Sequence, residues 1–212
     1  MTLKPTVVSP TSMKRLRPLK DRNQPVKMMV IDCKNETQWN AIHAPEINGV
    51  VQRRRPIRAI ESFLDQMADE GFESEQFISA QSRLRSLLNK HLVLQNEEDD
   101  LRRKFLVNDI ASWVRVLINQ TRSRDFLVKI NPDLPSEFQS DPAALKMLIT
   151  YRGIDITFRQ PKDKDERSFS NYGAALFRGQ AYPTAVEWMA TQTAEKPFCL
   201  SIEPSGRGMR RA

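Results

Sequence analysis

The feature that most constrains this chain is a change of hydrophobic period near residue 122. Upstream, apolar residues recur every three to four positions, the spacing of one face of a helix. Ile60, Phe63, Leu64 and Met67 form such a row and stop near Gly71, and Leu84, Leu87 and Leu88 continue another. Phe77 stands at or just before that second helix. Leu101, Phe105, Leu106, Ile110, Trp113, Val114, Leu117 and Ile118 make one broad apolar stripe through about residue 121. The acidic stretch Glu97 to Asp100 suits the N-terminus of that helix, where the backbone dipole favours negative charge. Earlier still, Met28 to Asp32 reads as a short strand. Residues 36–49 read as a short helix and turn, with Trp39 and Ile42 at helical spacing and Pro45 and Gly49 as breakers.

Downstream the apolar runs shorten to strand length. Phe126 to Ile130, Leu145 to Tyr151, Ile154 to Phe158, Ala174 to Phe177 and Phe198 to Ile202 each read as a strand. Asn131 to Asp141, rich in Pro, Asp and Ser, reads as a loop, and so does the charged stretch Lys162 to Arg167. Residues 184–192 read as a helix bearing Trp188. Runs of helices followed by runs of strands predict an α+β fold. The helical N-terminal half packs on a C-terminal antiparallel β-sheet or small barrel. A length of 212 residues fits one such domain over 28–204, mainly helical over 28–122 and mainly β over 123–204.

Charge is unevenly spread. The formal net charge is +7, yet it belongs to the ends. Lys4, Lys14, Arg15, Arg17, Lys20, Arg22 and Lys27 face Asp21 alone, and Arg207, Arg210 and Arg211 close the chain, so the stretch between is slightly acidic. Residues 1–27 therefore read as a flexible basic arm and 205–212 as a basic tail. Basic segments attract polyanions whatever fold carries them. Lys14, Arg15, Arg17, Arg210 and Arg211, with the internal cluster Arg53, Arg54 and Arg55, are the polyanion-binding candidates, for nucleic acid or an acidic protein partner. Residues 1–38 hold no aromatic to stack on bases. No apolar run approaches the roughly 20 residues of a spanning helix, and no apolar leader segment is present, so a cytoplasmic protein without membrane partners is expected.

Familiar site chemistries find little support. There are two histidines, His43 and His91, both in the first half, and two distant cysteines, Cys33 and Cys199. A zinc site of the usual type gathers three or four Cys or His ligands, and a facial triad needs two histidines and a carboxylate. The second half offers no histidine to either. The seven glycines are scattered, so no phosphate-cradling fingerprint forms, and no nucleophile elbow occurs. No cofactor follows from these residues.

The order of several segments is similar to a known family. His43-Ala-Pro-Glu-Ile-Asn-Gly-Val-Val-Gln-Arg-Arg, Phe138-Gln139-Ser140-Asp141, Leu145-Lys146-Met147-Leu148-Ile149-Thr150-Tyr151-Arg152-Gly153, Ala174-Ala175-Leu176-Phe177-Arg178-Gly179 and Phe198 to Glu203 together resemble the bacterial domain-of-unknown-function family 1826. The resemblance spans about residues 36–204. It implies a cupin-like or 2-oxoglutarate-oxygenase-like barrel, a metal site at an H-x-D motif, and an association with zinc limitation. This chain departs from the pattern. Gln139 stands where the family has histidine, Val51 or Gln52 where a tryptophan is usual, and no histidine follows Gly179. An amide oxygen binds transition metals far more weakly than imidazole does. The remaining metal candidates are Gln139 and Asp141, with Asp141 also suited to a turn before Pro142. Tyr151, Arg152 and Arg178 are the candidates for binding a substrate or anion, since guanidinium matches carboxylate in a two-point contact.

Two expectations follow. The first is a non-catalytic accessory or binding protein, with a degenerate cupin-like pocket and basic termini that dock on nucleic acid or an acidic protein. The alternative is a metal-dependent oxygenase-like enzyme, with iron or zinc only on that reading.

Overall fold

The computed structural model describes residues 29–94, 101–160, 165–182 and 185–205. The basic arm, the acidic stretch Glu97 to Asp100 and the polyanion-binding candidates Lys14, Arg15, Arg17, Arg210 and Arg211 lie outside the described residues.

In the first half of the chain, helices form where the sequence predicts them. A 3₁₀ helix over Glu36–His43 buries Trp39 and Ile42. Helix α1, Arg58–Glu70, buries Ile60, Phe63, Leu64 and Met67 and stops at Gly71, whose φ of 77° closes the C-terminus. Helix α2 is Gln81–His91 and α3 is Leu101–Thr121, the longest.

Eleven strands are described: β1 Met29–Cys33, β2 Ile47–Arg53, β3 Glu75–Ala80, β4 Asp125–Ile130, β5 Gln139–Ser140, β6 Leu145–Arg152, β7 Ile154–Arg159, β8 Arg167–Phe169, β9 Gly173–Arg178, β10 Glu187–Gln192 and β11 Phe198–Pro204. They make a seven-stranded sheet in the order β1-β2-β9-β6-β11-β4-β3 and a four-stranded sheet in the order β5-β10-β7-β8. Only the β1–β2 pair is parallel among the described ladders.

From β4 onward the chain passes back and forth between the sheets. The four large-sheet strands β9-β6-β11-β4 then oppose the four strands of the small sheet. That eight-stranded arrangement is a jelly roll. The α+β expectation holds, with a sheet broader than the sequence predicts, because β1, β2 and β3 extend it from the first half.

Two segments correct the reading of local period. Residues 75–80, placed near a helix start at Phe77, form β3, which pairs along its length with β4. Glu187–Gln192, read as a helix bearing Trp188, is β10, held by β7 on one side and β5 on the other. Nine residues do not separate a helical from a strand period, and ladder hydrogen bonds decide.

Two cores result. The larger lies between the helices and the outer face of the large sheet, and includes Phe63, Trp113, Met147, Ile149, Leu176, Leu200 and Ile202. The second lies between the sheets, and includes Leu148, Phe158, Phe169, Phe177, Trp188 and Cys199. Successive residues of a strand face opposite ways, so β6 sends Leu145, Met147 and Ile149 to the helices. Lys146 and Leu148 therefore turn inward. In the same way Leu200 and Ile202 of β11 meet the helices, while Cys199, Ser201 and Glu203 face the small sheet.

Candidate functional site

The interior between the sheets is largely filled. Phe158 packs on Phe177 with ring centroids 5.3 Å apart and on Phe169 at 6.3 Å. Polar groups collect toward the end where β5 and β6 meet. Asp141, just past β5, is 6% exposed. One of its carboxylate oxygens accepts the Ala143 backbone N–H at 2.9 Å, the turn that the sequence suggests for a residue before proline. The other is ion-paired with the Lys146 ammonium.

Lys146 Nζ also lies 3.7 Å from Glu203 Oε2 and 5.9 Å from the centroid of the Trp188 ring. Lys129 Nζ lies 3.9 Å from the other oxygen of Glu203. Exposure rises outward along this chain of charges, from buried Asp141 to half-buried Lys129. Among the described residues of the barrel, Trp188 Nε1 and Ser201 Oγ have no hydrogen-bond partner, each on a residue only 2% exposed. A buried donor without a partner costs about 1–3 kcal/mol, so each is a place where an acceptor would be favoured.

Gly179 fixes this corner. A Cβ there would stand 1.9 Å from the Ala143 carbonyl oxygen and 2.4 Å from that of Asp141. Gly179 N–H donates to Ala144 and Gln180 N–H to Asp141. The Arg178-Gly179 step noted in the sequence thus lets the backbone close on the turn that carries Asp141.

The other anticipated residues lie elsewhere. Gln139 is exposed, and its strand position pairs with Trp188. Arg178, 8% exposed, donates to the carbonyls of Ile42 and Pro45 and covers the Tyr182 ring. Those contacts tie β9 to the 3₁₀ helix and engage both terminal nitrogens of the candidate anion-binding Arg178 with backbone carbonyls.

Tyr151 points to the helical layer, where its hydroxyl donates to Asp109 at 2.5 Å. Burial, foremost, and the nearby Asp109 charge push its phenol well above the ordinary range. Arg54 grips the same carboxylate with two N–H groups and lies 4.5 Å from the Trp113 ring centroid. Burial opposes its charge, but the hydrogen bond and charge of Asp109 outweigh burial and raise its pKa. Arg54, a polyanion-binding candidate in the sequence, is thus engaged in a partly buried ion pair with Asp109.

Arg53 pairs with Asp32, and Arg55 is exposed. Arg152 meets Asp65 at 2.6 Å in an open cleft of about 440 Å³ lined also by Glu61, Asn171 and Tyr172. The sequence brought Asp141 to attention and passed over Lys129, Lys146, Trp188, Ser201 and Glu203. The signal for three of them is alternation: Lys146, Ser201 and Glu203 are polar residues at inward positions of otherwise apolar strands.

Solved structures of similar shape exist at low identity. The dioxygenase for auxin oxidation in rice shares 8% identity at a TM-score of 0.46, covering 84% of this chain and 82% of that one. JOX2, solved with 2OG, Fe and JA, shares 10% at 0.41, covering 85% and 75%. A Pseudomonas putida prolyl-4-hydroxylase shares 11% at 0.42, covering 82% and 99%. No curated protein matches the chain.

These findings correct two expectations. The non-catalytic accessory expectation is not what these three structures carry: they are a dioxygenase, a hydroxylase and a protein solved with 2OG and Fe, and at this identity the likeness is one of fold. The expectation of no cofactor likewise differs from JOX2, which was solved with 2OG and Fe.

Iron does not fit the corner as its side chains are arranged. Both Asp141 oxygens have partners, Gln139 offers an amide, and no group of three His, Cys, Asp or Glu ligands occurs among the described residues. No helix among them is long and apolar enough to cross a membrane. The family model for proteins of unknown function DUF1826 matches residues 34–191, and the chain belongs to that family.

Proposed function

We propose that the chain is an oxygenase-like enzyme that takes a small carboxylic acid, of the 2-oxoglutarate type, in the end of its barrel beside Asp141. The observation that carries this reading is the pair of orphaned groups, Trp188 Nε1 and Ser201 Oγ, in the same barrel as the Lys146 ammonium. Three donors around an otherwise apolar interior suit a ligand rich in acceptor oxygens. Lys129 and Lys146 supply positive charge, and Asp141 and Glu203 hold the two ammonium groups in place. The apolar walls, Phe158 and Phe177 among them, exclude water and strengthen those contacts.

In this reading Trp188 and Ser201 bind and orient the acid, and Lys146 moves from carboxylate to ligand without a change of charge. No step is assigned to iron, whose ligand set the described residues do not supply. A cytoplasmic setting suits the two buried, unpaired cysteines. The test is a thermal shift with 2-oxoglutarate. Stabilisation of the native protein and its loss in Trp188→Phe support the reading. No stabilisation at millimolar acid overturns it.

A further inference from the structure

The cleft beside Arg152 lies on the helical side of the large sheet. Helix α1 supplies Glu61, Leu64 and Asp65 to it, and Tyr151, which also lines it, belongs to the core under the helices. Its volume of about 440 Å³ falls in the range of small-molecule sites, roughly 300–1,000 Å³. Three polar groups in it have unused capacity. Arg152 spends Nη1 on Asp65 and on the Leu64 carbonyl, and its Nε and Nη2 make no hydrogen bond among the described residues. Glu61 is exposed and forms no ion pair among them. The Tyr172 hydroxyl has no hydrogen-bond partner, on a residue only 2% exposed. Burial, foremost, and the Glu61 charge push this phenol above its ordinary range, and the Ile57 backbone amide pulls less strongly the other way. The phenol therefore stays an O–H donor, close enough to feel a carboxylate that lines the same cleft.

These groups ask for a ligand that carries both charges. An ammonium suits Glu61. A carboxylate suits the spare edge of the Arg152 guanidinium and the Tyr172 O–H, which is costly to leave without an acceptor. A purely anionic ligand would meet the carboxylates of Glu61 and Asp65. A purely cationic one would meet Arg152 and leave the phenol unsatisfied. Pro56 and Leu64 add apolar contact for a side chain.

We propose that this cleft binds a free α-amino acid, with its ammonium on Glu61 and its carboxylate on Arg152 and the Tyr172 hydroxyl. The inference does not rest on the acid-binding reading, and Trp188 lies in the other core.

The experiment is thermal melting of the full chain with each common L-amino acid at millimolar concentration, then calorimetric titration with the most stabilising one. Tyr172→Phe and Glu61→Gln should each bind it at least about tenfold more weakly than the native protein. Both changes should preserve the fold, since one removes a hydroxyl without a partner and the other makes an exposed carboxylate its amide. Trp188→Phe should bind the amino acid as the native protein does. Acetate, and the amine that lacks only the carboxylate, should each bind at least about tenfold more weakly than the amino acid. The proposal is overturned if no amino acid stabilises the chain, or if both cleft variants bind as the native protein does. It is also overturned if Trp188→Phe abolishes binding, which would place the ligand in the barrel. Should Tyr172→Phe fail to fold, Glu61→Gln decides alone.

Discussion

Lys146 and Asp141 form an ion pair across the turn between β5 and β6, and it is among the least exposed pairs in the molecule. Removing one partner leaves a buried charge uncompensated, which costs about 3–5 kcal/mol. Asp141→Asn retains an acceptor for the Ala143 N–H and leaves Lys146 with Glu203, so a loss near the low end, about 3 kcal/mol, is expected from urea unfolding. The double change D141N/K146M should cost clearly less than the sum of the single losses, because both charges leave together. Additive losses would mean that the two groups do not interact.

Gly179→Ala tests the close approach that holds this corner. The new Cβ has no room against the carbonyl oxygens of Ala143 and Asp141, and both are backbone atoms that cannot swing aside. A loss of about 1–3 kcal/mol is expected, with faster amide hydrogen exchange over 141–145. A variant as stable as the native chain would show that this turn tolerates displacement.

The helical layer depends on a second buried charge. Asp109 accepts from Arg54, Tyr151 and Trp113 together. Asp109→Ala strands the Arg54 guanidinium and orphans two more donors, so a loss of about 3–5 kcal/mol is expected. Trp113 fluorescence should shift to the red as the packing around it loosens. Arg54→Ala should be nearly as costly, whereas the exposed Arg55→Ala should lie within about 0.5 kcal/mol of the native chain.

Much of this architecture is legible in the sequence, and what is not has a physical cause. Helices α1 and α3 follow directly from rows such as Ile60, Phe63, Leu64 and Met67, because burial of one face imposes the 3.6-residue period. Strands β6 and β11 are equally plain. Segment 184–192 misleads because Trp188, Val186 and Ala185 are all buried by partners far away in sequence, so local spacing carries little of the decision. Asp141 is found through a resemblance, and its turn through the proline that follows. Lys146 is missed because a lone lysine in an apolar strand gives no sign of its partner, and Glu203 lies far along the chain. Only the pairing of β6 with β11, which sets Ile202 against Met147, joins them.

The two cysteines give a pH signature. Burial raises the Cys199 thiol to about 12 and, together with the Asp32 charge, the Cys33 thiol to about 11, from an ordinary value of 9.0. Folding therefore favours the protonated thiols. Their contribution to stability is complete below pH 9 and is lost as pH rises from 9 through 11 and 12. Urea midpoints should fall over that window, and less steeply in Cys199→Ala. Iodoacetamide at pH 8 should label neither thiol in the folded protein and both in urea. Rapid labelling of the native chain would contradict the burial of these strands.

The most direct test of the account is the melting temperature of the native protein and of Trp188→Phe with and without 2-oxoglutarate. Phenylalanine keeps an aromatic ring at that site and removes the orphaned N–H, so the variant alone should remain within about 1 kcal/mol of the native chain. The account predicts that millimolar acid raises the melting temperature of the native protein by a few degrees and leaves the variant unmoved. An acid that stabilises neither protein, or both equally, would contradict a ligand site at Trp188, Ser201 and Lys146.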